Sequence, residues 1–321
     1  MDEKSLSSIA VRTPQEQPYC GRFAPSPTGP LHFGSLVAAC ASFLQARSAK
    51  GRWLLRIEDI DPPREEPGAA ESIVSTLEAF GFTWDGPVSY QIANTARHLE
   101  LVDYLLREAV AYRCSCTRKD LAGARRGVLG AIYPGTCRTG HSGKRSSVRV
   151  RTSNLPVEFF DLLQGPQSQA LENVSGDFVI KRRDGMIAYH LAVVADDHDQ
   201  SVTEVVRGID LLDSTPRQIH LQRLLGFATP QYLHIPVVID DAGNKLSKQT
   251  GAPGLQVENA RQLLVLALTA LGQNPPAGLA DCRLDEIWHW AETHWDAGVL
   301  ASQRAIPLAN CPMAEVQNGL S

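Results

Sequence analysis

Two short stretches, far apart in the chain, carry residue types suited to phosphate chemistry. The first is Gly21-Arg22-Phe23-Ala24-Pro25-Ser26-Pro27-Thr28-Gly29-Pro30-Leu31-His32-Phe33-Gly34-Ser35. His32 is a donor able to stabilise charge developing on a phosphate. Gly34 leaves room for a ligand against the backbone, and Ser35 lies beside a helix start, where unpaired N–H groups and the dipole favour an anion. The second is Lys245-Leu246-Ser247-Lys248-Gln249, in a segment flanked by Gly243 and Gly251. Two ammonium groups on such a segment would meet phosphate oxygens from the other side. A third cluster has different chemistry. Cys114, Cys116 and Cys137 place three thiolates within 24 residues. That pattern reads as one structural Zn²⁺ held in a small closed knuckle, with Tyr133 or His141 as the fourth ligand.

The elements around these residues follow from periodicity. Tyr19 to Phe23 reads as a strand, and Pro25, Pro27 and Pro30 rule out regular structure in the turn after it. Leu36, Cys40, Phe43, Leu44 and Arg47 then give an amphipathic helix with one polar intruder. Trp53 to Ile57 is a second strand, running into Glu58-Asp59-Ile60-Asp61 and stopped by Pro62 and Pro63. Helices are expected over about 68–80 and 95–111, the second carrying Leu99, Val102, Leu106 and Val110. Strand, helix, strand, helix begins a doubly wound (Rossmann-like) parallel α/β sheet, in which ligands sit beyond the carboxyl ends of the strands. Arg22 and Glu58 both fall at such ends.

From about 112 to 185, cysteines, glycines and short strands (147–151, 157–161, 177–181) replace the helices, which suggests an insertion. The sheet is expected to resume with strands at 188–194 and 202–206. A helix with Leu212, Ile219 and Leu224 and a strand at 235–239 follow. Two helices, over about 258–272 and 284–295, complete the pattern. The expected organisation is a flexible extension over 1–17, a first catalytic half over 18–111 and an insertion with the zinc knuckle over 112–185. A second catalytic half over 186–250 and a short helical region over 251–321 follow.

Composition narrows the setting. The 321 residues are 43% hydrophobic and 21% charged, as in ordinary globular proteins. No apolar run reaches the roughly 20 residues of a membrane span, and the polar N-terminus does not read as a secretory signal. A net charge of −4 argues against bulk-charge binding of nucleic acid, so an RNA partner would need a local basic patch. Arg118, Lys119, Arg125 and Arg126 are the candidates. Seven cysteines, an odd number with three clustered, suit a reducing cytoplasm. His98, His220, His289 and His294 are scattered over helix patterns and receive no role.

The ordered motifs resemble a class I aminoacyl-tRNA synthetase. His32-Phe33-Gly34-Ser35 stands in the HIGH position and Lys245 to Gln249 in the KMSKS position. Ser35 replaces the second histidine, and Leu246 and Gln249 replace the Met and last Ser. The segment Arg22 to Gly29 resembles the glutamyl/glutaminyl branch. The resemblance implies catalysis by His32, Lys245 and Lys248, with nucleotide contacts from His32, Gly34, Ser35 and Lys248 and Mg²⁺ accompanying ATP.

For glutamate, Glu58 would take the ammonium, while Arg22 and Arg207 supply planar forks for the two carboxylates and Tyr189 a hydroxyl. These positions, with Ser26 and the adjoining Phe23, Ala24 and Pro25, match the family's amino-acid site. Which arginine holds which carboxylate stays open.

About 70 residues follow the lysine loop, too few for the helical anticodon-binding part of ordinary glutamyl-tRNA synthetases. Over the whole chain the resemblance is to the truncated glutamyl-queuosine branch. It implies a monomer that activates L-glutamate without tRNA and transfers it to queuosine in the anticodon loop of tRNA(Asp). That branch uses the tyrosine of Tyr-Pro-Gly-x-Cys on zinc, which favours Tyr133. Alternative readings are a short glutamyl-tRNA synthetase charging the tRNA 3′ end, a small-molecule nucleotidyltransferase and a non-catalytic binding protein.

Overall fold

The computed structural model describes residues 18–140, 146–240, 243, 245–246 and 253–307. The expected N-terminal extension over 1–17, His141 and Lys248 lie outside these residues. In chain order the elements begin with β1 (Cys20–Phe23), α1 (Phe33–Ser48), β2 (Arg52–Ile57), α2 (Ala69–Ala79), β3 (Ser89–Tyr90) and α3 (Thr95–Arg107). Next come β4 (Ala111–Cys114), β5 (Arg126–Gly127), β6 (Gly130–Ala131), β7 (Ser147–Val150), β8 (Pro156–Asp161), β9 (Gly165–Ala170), α4 (Leu171–Val174) and β10 (Phe178–Lys181). The remainder is α5 (Tyr189–Asp199), β11 (Glu204–Gly208), α6 (Thr215–Leu225), β12 (Gln231–Ile235), β13 (Val237–Ile239), α7 (Ala260–Ala270), α8 (Leu284–His294) and β14 (Ala305–Pro307).

Strands β1, β2 and β3 pair in parallel, as do β11 and β12. The two groups meet where Thr203 N–H donates to the Cys20 carbonyl at 2.9 Å. The spatial order is therefore β3-β2-β1-β11-β12. The chain leaves β1 toward one edge and β11 toward the other, so a crevice opens at the carboxyl ends of these two central strands. Arg22 and Arg207 sit there. β12 also pairs in parallel with β8 through Tyr232 and Asp161, and β8 forms an antiparallel hairpin with β9. The segment between the two halves of the sheet thus contributes strands to it. A separate antiparallel sheet, ordered β10-β7-β4, packs on α3, α5 and α6 in a shared core.

Several elements differ from the sequence reading. Residues 188–194, expected as a strand, begin α5. Leu191 to Ala195 are all buried, so the run is apolar on every face, and a short buried helix then has the same hydrophobic pattern as a buried strand. Helix α1 is also buried nearly all round, because the sheet covers one side and α7 and α8 the other. Its polar intruder Arg47 reaches Asp85 at 2.7 Å. The strand expected at 235–239 is two strands broken by Pro236, β12 in the main sheet and β13 paired with β14. Helix α3 stops at Arg107, and its buried face is His98, Leu101, Val102 and Leu105. The C-terminal helices close the core around α1. Phe43 meets Trp288 edge-on at 4.7 Å between ring centres, and Trp288 Nε1–H donates to the Phe80 carbonyl at 2.9 Å.

Candidate active site

The proline turn after β1 folds back over the sheet. Pro25 accepts from Glu58 N–H at 2.9 Å, so the turn and the end of β2 form one wall. Gly29 sits at φ 122°, and a Cβ there would come within 3.0 Å of the Glu66 carboxylate. The turn ends at His32, the N-cap of α1. Its Nδ1 accepts from Ser35 N–H at 3.3 Å, which leaves the proton of the neutral ring on Nε2.

The lysine segment lies alongside. Lys245 forms an antiparallel bridge with Ile239, and Leu246 N–H donates to Val238 at 2.8 Å. The Leu246 carbonyl passes 3.4 Å from where a Gly34 Cβ would stand. The tighter contact is with the His32 ring, whose Cε1 would stand 3.2 Å from that Cβ, so a side chain there would press on His32. Lys245 Nζ is 2.6 Å from Asp210 Oδ2, both half-exposed. Lys248 lies outside the described residues.

One open cleft of about 900 Å³ is lined by Arg22, Phe23, Ala24, Pro25, Ser26, His32, Gly34, Ser35, Glu58, Tyr189, Arg207 and Lys245. The fold therefore gathers every described residue singled out for the amino-acid and nucleotide sites. A second cavity of about 480 Å³ shares Ser26, Thr28, Glu58 and Tyr189 with it and extends toward Asp61, Arg64 and Arg182.

The cleft floor is a buried charge network that the sequence reading missed. Arg22 Nε–H and Arg56 Nη2–H both donate to Asp197 Oδ1, at 3.1 and 2.6 Å. Burial works against ionising Asp197, but the two guanidinium groups outweigh it and hold its carboxyl below the usual range. Glu58 lies 3.8 Å from Arg56, and its Oε1 accepts no hydrogen bond among the described residues. Burial, only partly offset by Arg56 and Arg22, pushes its pKa up to about 7. An ammonium ion is the partner such a carboxylate lacks. Arg207 donates from Nε to His234 at 3.0 Å and from Nη2 to Thr215 at 2.8 Å. Arg56 and Asp197 carried a readable sign, since charged residues inside the apolar runs of β2 and α5 demand buried partners.

The cysteine cluster lies apart from the cleft. The Sγ atoms of Cys114, Cys116 and Cys137 fall within 4.8 Å of one another. Cys116 and Cys137 are 3.6 Å apart, close to the roughly 3.8 Å expected for two thiolates on one tetrahedral Zn²⁺. The Tyr133 hydroxyl stands 3.3 Å from Cys114 and 3.6 Å from Cys116. Arg149 donates to Cys114 Sγ at 3.3 Å. The three thiols, with the Tyr133 hydroxyl beside them, could hold a metal ion. Arg118, Lys119, Arg125 and Arg126 are exposed near it. His98 is buried against Asp196 at 2.9 Å, and His220 caps the Arg151 carbonyl at 2.7 Å. His289 and His294 sit on α8, away from the cleft lining.

Residues 20–272 match the family described as tRNA synthetases class I (E and Q), catalytic domain. Fold and cleft therefore define the catalytic core of a class I synthetase, and the protein is a ligase. A glutamyl-Q tRNA(Asp) synthetase of Pseudomonas aeruginosa is 51% identical over 280 residues, covering 87% of this chain and 94% of its own. One from Aromatoleum aromaticum is 52% identical over 282 residues, covering 87% and 89%. The chain belongs to the glutamyl-Q tRNA(Asp) synthetase family. A glutamate-tRNA synthetase structure from Elizabethkingia anophelis superposes with a TM-score of 0.77 over 95% of this chain and 71% of that one, and at 23% identity it bears on the fold alone. No helix among the described residues is long and apolar enough to cross a membrane.

Proposed function

We propose that the protein activates L-glutamate with ATP and Mg²⁺ and transfers the glutamyl group to queuosine in the anticodon loop of tRNA(Asp). The observation that carries this reading is the convergence of Arg22, Glu58, Tyr189 and Arg207 in the cleft that also holds His32 and Lys245. A buried carboxylate with an unfilled acceptor and two guanidinium groups complement an ammonium and two carboxylates. The glutamate α-carboxylate attacks the α-phosphorus, and the bond to pyrophosphate breaks. His32, Lys245 and Lys248 neutralise charge on the phosphate oxygens, while the pocket aligns the two anions. A hydroxyl of the queuosine cyclopentenediol then attacks the acyl carbon and AMP leaves. The second cavity, opening beside Glu58 and Tyr189, suits an acceptor nucleoside splayed from an RNA loop.

Zinc, held by Cys114, Cys116, Cys137 and Tyr133, serves a structural role in this reading. The catalytic core is formed by 18–111 and 186–250, with 112–185 as a zinc-bearing insertion, 251–321 as a helical region and 1–17 as an extension. The enzyme is taken as monomeric and cytoplasmic. Labelled glutamate should be incorporated into tRNA(Asp) carrying queuosine and not into the same tRNA lacking it. Label that nuclease digestion maps to the 3′-terminal adenosine rather than to the anticodon-loop fragment would favour a tRNA-charging synthetase and overturn the proposal.

A further inference from the structure

Strand β8 comes from the segment read as an insertion, yet its last residue, Asp161, lies behind the cleft wall and connects through His234 to Arg207, which lines it. Asp161 and His234 are both fully buried, and His234 Nδ1 lies 2.5 Å from Asp161 Oδ2. The other oxygen of Asp161, Oδ1, accepts from the backbone N–H groups of Leu163, Gln164 and His234 at 3.1, 2.9 and 3.3 Å. The carboxylate therefore cannot rotate without losing three bonds. On the far side of the ring, His234 Nε2 accepts from Arg207 Nε–H at 3.0 Å. An acceptor at Nε2 requires the proton on Nδ1, the tautomer that donates to Asp161. Burial lowers the His234 pKa to about 4, so the ring is neutral at pH 7, as this arrangement requires. Thr215 holds Arg207 Nη2 at 2.8 Å, and Thr215 in turn donates to the Leu211 carbonyl at 3.1 Å. Arg207 Nη1 is buried and has no protein partner among the described residues.

We infer that Asp161 and His234 are positioning residues for Arg207, and that the sequence Asp161–His234–Arg207 fixes the guanidinium that receives a substrate carboxylate. Three of its edges are thereby assigned: one to His234, one to Thr215, and one left for an anion. A buried guanidinium N–H without an acceptor is costly and favours whatever carboxylate fills it. The chemistry of the ligand group is an oxyanion with an oxygen that accepts from Nη1. The inference rests on the glutamate-binding reading of Arg207 and deepens it, since it makes β8 part of the amino-acid site.

Asp161→Asn is the informative change. The three backbone donors keep the amide oxygen at the Oδ1 position, so the amide nitrogen replaces Oδ2 and donates to His234 Nδ1. The ring is driven into the other tautomer, and Nε2–H then faces Arg207 Nε–H, donor against donor, with Thr215 Oγ1 at 3.2 Å left to accept it and so drawn from Arg207 Nη2. Glutamate-dependent ATP–pyrophosphate exchange should show KM for glutamate raised roughly tenfold or more, with KM for ATP within about twofold of wild type. His234→Gln retains an acceptor for Arg207 and a donor for Asp161, and should stay within about threefold of wild type. In an Arg207→Lys background, Asp161→Asn should add little, because the coupled partner is gone. An unchanged KM for glutamate, a parallel rise for ATP, or full additivity with Arg207→Lys overturns the inference. If Asp161→Asn does not yield folded protein, His234→Leu carries the same expected split. Absence of glutamate-dependent exchange in the wild-type enzyme would instead refute the glutamate reading itself.

Discussion

Glu58 makes the cleft costly to fold. In water its carboxyl titrates near 4.5, and in the folded protein burial raises this to about 7 despite Arg56 and Arg22. A raised folded-state pKa means that stability is fully present below pH 4.5 and is lost as the pH climbs through 7. The difference of about 2.5 units corresponds to roughly 3 kcal/mol at pH 8. Glu58→Gln imitates the protonated form and does not ionise. The variant and the wild type should therefore match near pH 4.5, and the variant should become more stable by about 3 kcal/mol at pH 8. Urea denaturation of both proteins from pH 4.5 to 8.5 measures this. Glutamate-dependent exchange should be lost in the same variant, and wild-type KM for glutamate should rise as the pH falls below 7. A variant less stable than wild type at pH 8 would refute the reasoning, because it would mean that ionised Glu58 is a net stabilising partner of the arginines.

Other consequences follow from the same geometry. Asp197→Asn leaves Arg22 and Arg56 buried without their shared carboxylate, and should cost about 3 kcal/mol in denaturant unfolding. Asp210→Ala removes a half-exposed partner of Lys245, so unfolding should change by less than about 1 kcal/mol. KM for ATP should fall about two- to fivefold in that variant, since the ammonium no longer has to leave a carboxylate to reach phosphate. Cys137→Ser should reduce bound zinc from one per chain toward none in metal analysis. Tyr133→Phe should weaken zinc binding more than His141→Ala, which would distinguish the two candidate ligands.

Much of this site was legible because its chemistry is compact in sequence. Pro25 and Ser26, His32 and Gly34, and Lys245 all fall on the cleft lining, and the cysteine spacing matches three thiols within 4.8 Å of one another. What escaped was long-range. Asp197 is read through Arg22 and Arg56, which lie 175 and 141 residues away, and Asp161 through His234, 73 residues away. No local pattern links such pairs. α5 was misread for a related reason: its apolar run is enclosed on all sides, so periodicity carried no information about a solvent face. Tyr189 nevertheless reaches the cleft, because it opens that helix at the same edge of the sheet. The split at Pro236 was available locally, since proline cannot donate within a central strand.

The central claim is that this pocket selects glutamate and presents it to ATP without help from RNA. ATP–pyrophosphate exchange, run with purified protein, L-glutamate and no tRNA, tests it most directly. The account predicts exchange that depends on glutamate, is not supported by aspartate or glutamine at the same concentration, and disappears in Glu58→Gln. Exchange that proceeds without any amino acid, or none at all with glutamate whether or not tRNA is present, would contradict it.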